Sequence, residues 1–94
     1  MHNRLRAPMA CLAAALRAKL GPVPLKDLRA LQDVARRDLN DAAPLRRAVD
    51  RFVRVAGRGG PDAARIEAAC ALFHAVEIHA QPDPVDMHRS DLHG

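Results

Sequence analysis

PDAARIEAACALFHAVEIHA, residues 61 to 80, is the stretch whose reading decides the fold. Wound at 100° per residue, it stays apolar on almost every side. Ile66, Ala69, Cys70, Phe73, Val76 and Ala80 form one stripe. Ala64, Ala68, Ala71, Ala75 and Ile78 form a second, of small residues, roughly opposite. Only Glu67, His74 and His79 interrupt them. Gly60 is a tolerable N-cap, Pro61 suits the first helical position, Asp62 suits the positive helix end, and Pro82 stops the helix. A helix apolar all round needs cover, so the expectation is that shorter amphipathic helices pack around this one.

Working outward, the chain before it divides at its glycines and prolines. Pro8 to Leu20 reads as a helix whose Leu5, Met9, Leu12, Leu16 and Leu20 repeat on one face and point inward. Gly21 ends it, and Pro22-Val23-Pro24 makes a stiff reversal. A second helix, 24 to 39, turns Leu25, Leu28, Leu31, Ala35 and Leu39 inward and Lys26, Arg29, Asp33, Arg36 and Arg37 outward, with Asp33 and Arg37 able to pair at i, i+4. Asp41 is the expected N-cap of a third helix, 42 to 56, in which Leu45, Val49, Phe52, Val53 and Ala56 form the apolar arc and Gly57 the C-terminal glycine. The fold class expected is all-α, a compact antiparallel four-helix domain over residues 1 to 81. A mobile or loosely docked tail is expected over 82 to 94.

Composition narrows the function. Ninety-four residues with two Phe, no Trp and no Tyr leave Leu, Val, Ile, Met and Ala to fill the core. A chain this short buries only about 60 to 65% of its unfolded surface, so a second copy or a partner is expected to add burial. Arg and Ala are abundant and Lys scarce, as a GC-rich coding sequence of bacterial type produces. Residues 1 to 60 carry 13 basic and 5 acidic side chains, while 61 to 94 carry 2 and 6, so the halves attract one another. Cys11 and Cys70 fall on separate helices, Cys70 on the apolar stripe and Cys11 off it. Two thiols without a disulfide fit a cytoplasmic protein. Arg4 and Arg6 precede an apolar run as in a secretory signal, but Pro8 opens that run, Arg17 and Lys19 close it, and no small-x-small cleavage site follows. No run has the ~20 apolar residues of a membrane span.

The chemistry-bearing residues do not assemble a catalytic set. Ser90 is the sole serine and there is no threonine. Cys70, expected to be buried, would be an inert thiol, and Cys11 lacks a helical His nearby. His74 and His79 are five residues apart and diverge by about 140° on a helix, where a zinc pair needs i, i+4. The tail acids and histidines match no calcium or zinc spacing. The Gly57 to Gly60 turn lacks the Lys-Ser/Thr ending of a nucleotide loop. Neither cofactor nor metal is expected.

Arg47, Arg51, Arg54 and Arg58 recur at steps of four, three and four and share one face of the third helix. Such a row can meet an acidic protein surface or track phosphates. As a helix-turn-helix, helices two and three are poorly matched. Their turn lacks the usual glycine, and the recognition position opens on Ala42, Ala43 and Pro44, which read no base. The expectation is a non-catalytic helical protein-protein interaction module, an adaptor or regulatory protein. The alternative is a nucleic-acid-binding regulator using the basic face of helix three. Self-association through Ala64, Ala68, Ala71, Ala75 and Ile78 would make it a homodimer, since small side chains let two helices approach closely.

Overall fold

The computed structural model describes residues 6–40 and 43–80; the sequence-expected tail over 82–94 and the Asp41 N-cap lie outside the described residues. Four α-helices account for most of them and there is no strand among them: α1 (Arg6–Leu20), α2 (Leu25–Asp38), α3 (Pro44–Gly57) and α4 (Asp62–Ala80). The all-α class and four-helix count expected from the sequence are present, with each boundary within two residues of its expected place.

The boundaries shift for local reasons. Proline lacks an N–H and favours an extended residue before it, so Ala43 is extended, at φ −66° and ψ 137°. Pro44 takes the first position of α3, and Ala43 makes no side-chain cap. At the other end, Gly57 remains inside α3 and Arg58 is still in the right-handed region. The left-handed reversal falls on Gly59, at φ +67°. The carbonyl of Pro61 accepts the first bonds of α4 from Ala64 and Arg65, which moves the start of that helix to Asp62.

Packing follows a ring. α1 and α3 both pack extensively on α4, and α2 bridges α1 and α3 on the other side. Arg6 at the start of α1 pairs with Asp38 at the end of α2, and Arg17 at the end of α1 pairs with Asp27 near the start of α2. Inside the ring lie Leu28, Leu31, Ala35 and Leu39 of the α2 segment, Leu45, Val49 and Phe52 of α3, and Ala68, Ala69, Leu72 and Val76 of α4. Phe52 is the largest fully buried side chain.

Three expectations about the core are corrected. α4 is a member of the ring, not its enclosed centre: Ile66, Cys70, Ala71 and Ile78 are exposed and Phe73 is only half-buried. Its buried line runs through Leu72, between the two stripes read from the sequence. α1 faces the opposite way to its leucine repeat. Ala7, Cys11, Ala14, Ala15 and Ala18 go inward, while Met9, Leu16 and Leu20 stay in solvent. The cysteines exchange environments as a result, Cys11 being fully buried and Cys70 exposed. The reason is volume: Leu72, Phe52 and the leucines of α2 fill the interior, and only a helix with a small inner face can approach both α2 and α4. On α2, Leu25 is exposed and Asp33 pairs with Arg36 at i, i+3 (3.1 Å) instead of Arg37.

Candidate functional site

The arginine row belongs to the strongly amphipathic α3, whose other side supplies Leu45, Val49 and Phe52 to the core. Burying that arc forces Arg47, Arg51 and Arg54 outward, and Arg58 follows them at the C-cap; all four are exposed. Arg51 reaches across to α4, its Nη2 donating to Glu67 Oε1 at 3.0 Å. Arg46, one position from the row, is turned toward Asp50, with Nε to Oδ1 at 3.5 Å. The row thus runs beside the seam between α3 and α4.

That seam opens into a groove of about 320 Å³ lined by Pro44, Leu45, Ala71, His74, Ala75, Ile78 and His79. Its floor is apolar because α3 contributes Leu45 from the edge of the core and α4 contributes the small side chains of Ala71 and Ala75. Ile78 adds a larger aliphatic side chain to the lining. Pro44, Arg47 and Arg51 lie at i, i+3 and i+7, so the α3 rim of the groove continues into the arginine row. The α4 rim carries His74, whose Nδ1 is 3.9 Å from Glu77 Oε1, together with His79.

The five residues expected to form a self-association stripe on α4 are divided by this arrangement. Ala71, Ala75 and Ile78 line the groove, Ala64 is exposed near the start of the helix, and Ala68 is buried in the core. His74 and His79 come to the same groove despite their angular separation, a juxtaposition the helix wheel alone did not suggest. Among the described residues no group of three or more His, Cys, Asp or Glu side chains is placed to hold a metal ion.

Electrostatics elsewhere are local. Asp38 raises the Arg6 guanidinium above the usual arginine range, by its hydrogen bonds and then its charge. Burial pushes the Cys11 thiol up to about 11, so it stays protonated at neutral pH. Arg65 donates from Nε to the Ala18 carbonyl at 2.7 Å and from Nη1 to Asp62 Oδ1 at 2.7 Å, which satisfies an end carbonyl of α1 from α4. No described helix is long and apolar enough to cross a membrane.

Comparison of the chain with models of known families, with curated proteins and with solved structures finds no match. The functional reading therefore stands on the geometry of the groove and its rim.

Proposed function

We propose that the chain is a non-catalytic helical interaction module that seats an apolar, acid-flanked segment of a protein partner in the groove between α3 and α4. The observation that carries this reading is an apolar groove lined by Leu45, Ala71, Ala75 and Ile78, with the exposed arginine row on the same helix α3 that supplies Leu45. The volume suits one or two aliphatic side chains of a helix laid in the groove, the mode in which anchors at i and i+3 or i+4 engage a partner. Acidic residues flanking those anchors would meet the exposed Arg54 and Arg58. Rim charges of this kind accelerate and orient association more than they strengthen it.

The nucleic-acid reading draws on the exposure of Arg47, Arg54 and Arg58. It is weaker for two reasons. Glu67 already engages Arg51, and a phosphodiester backbone has no use for the apolar floor.

Fluorescence anisotropy separates the two. A labelled amphipathic peptide with leucine anchors and flanking glutamates should bind at physiological salt, whereas a DNA duplex should not. Ala71→Arg, on an exposed floor position, should weaken peptide binding at least tenfold, since one misplaced charge in an apolar contact exceeds ~1.4 kcal/mol. Duplex binding with a negative slope of log K against log salt, and no peptide binding, would replace the peptide reading with the nucleic-acid one.

A further inference from the structure

The α3/α4 groove lies at the C-terminal end of α4. Ile78 and His79, two of its lining residues, belong to the last turn of that helix, which closes at Ala80. The sequence continues from there as Gln81-Pro82-Asp83-Pro84-Val85-Asp86-Met87 and on to Gly94. This continuation has the chemistry assigned above to the occupant of the groove. Val85 and Met87 are apolar anchors, and Asp83 and Asp86 flank them. They match in number the one or two apolar side chains that a groove of about 320 Å³ takes.

Charge points the same way. With His neutral, residues 81 to 94 hold three aspartates and one arginine, net −2, whereas residues 44 to 58 hold five arginines and one aspartate, net +4. The two segments attract one another. The polar side chains of the lining, His74 and His79, can each donate an imidazole N–H to a carboxylate beside the apolar anchors.

Reach is not limiting. The α4 lining from Ala71 to Ile78 runs about 10 Å at ~1.5 Å per residue. From Ala80 the chain can extend at most about 17 Å to Val85 and about 24 Å to Met87, at ~3.3–3.6 Å per residue. Tethering raises the local concentration of such a segment to about 1 mM. A contact with a dissociation constant of only ~0.1 mM as a free peptide would then fill the groove about nine-tenths of the time, and would weaken an outside ligand about tenfold.

We propose that Val85 and Met87, with Asp83 and Asp86, compete in cis for the α3/α4 groove, so that the chain carries its own inhibitory ligand. The proposal rests on the reading of that groove as a peptide site and adds its regulation.

The full chain tests it with two labelled peptides: the leucine-anchored, glutamate-flanked probe and a synthetic copy of residues 81 to 94. Val85→Ser/Met87→Ser removes the anchors and keeps the charge of the segment. That variant should bind the first probe about tenfold more tightly than wild type, with circular dichroism unchanged. It should also bind the 81–94 peptide, which wild type should bind about tenfold more weakly, and adding Ala71→Arg should abolish that binding. Equal affinity of wild type and the Ser variant for the first probe overturns the proposal while leaving the groove a peptide site. Failure of both probes on the Ser variant overturns the groove reading and the proposal together. A wild type that sediments at twice 10.2 kDa, and a Ser variant at 10.2 kDa, would put the segment in the groove of a second copy and overturn competition in cis.

Discussion

Replacing each phenylalanine by alanine gives a sharp measure of where the core lies. Phe52 is fully buried on α3, whereas Phe73 is half-buried on α4 with Lys19 over its ring. Phe52→Ala forfeits about 1.5–3 kcal/mol of transfer free energy. If the neighbours close half of the ~100 Å³ vacated, the remaining cavity adds about 1 kcal/mol at ~24 cal/mol per Å³. The total, about 3–4 kcal/mol, is a large share of the roughly 5–14 kcal/mol available to a chain of this length. Phe73→Ala removes a ring that is already partly hydrated, so about 1–2 kcal/mol is expected, including the lost cation–π contact. Urea titrations of the two variants should give the Phe52 change a loss larger than the Phe73 change by about 1–3 kcal/mol. In thermal melts the Phe52 variant should fall by about 15–30 °C, using ~4–8 °C per kcal/mol for a domain of this size. Equal losses, or a larger one at Phe73, would refute the packing order described for α3 and α4.

The thiols give a second check. An aromatic disulfide reagent should modify Cys70 at once and Cys11 only on unfolding, so the native chain should titrate as one reactive thiol. Because the folded Cys11 pKa is raised, from 9.0 to about 11, the folded state holds its proton where the unfolded state releases it. Its contribution to stability is complete below pH 9 and lost as pH rises toward 11; a Cys11→Ala chain should lack that alkaline loss in denaturant midpoint. Arg65→Ala should cost about 1.5–3 kcal/mol by leaving the Ala18 carbonyl without its charged donor. Asp62→Asn, at an exposed carboxylate, should change the urea midpoint little.

The helices differ in how much the sequence revealed of their packing, and the difference has one cause. α2 and α3 each carry a polar arc, so solvent selects their orientation: Arg29, Asp33 and Arg37 face outward on α2, as Arg47, Arg51 and Arg54 do on α3. The periodicity that identified Leu28, Leu31, Leu45, Val49 and Phe52 as core therefore had a single solution. α1 and α4 have few charges, and an apolar repeat on such a helix fits more than one rotation. For α1 the leucine repeat and the alanine face were both legible, but the choice between them depended on side chains contributed by other helices. The same ambiguity hid Leu72 between two stripes and reversed the two cysteines.

The groove shows the same limit. Its arginine rim follows from α3 alone and was visible as spacing, whereas its floor joins Leu45 to Ala71, Ala75 and Ile78 across 26 residues or more of chain. Long-range juxtaposition is invisible to a helix wheel. The outward rotation of α1 has a further consequence. Because the inner face uses small residues, the chain buries less area per residue along α1 than leucines would have provided, and the unspent apolar surface is concentrated on one ridge. The orientation of α1 is therefore set by the room that α2, α3 and α4 leave for its alanine face, and Met9, Leu16 and Leu20 stay in solvent as the consequence.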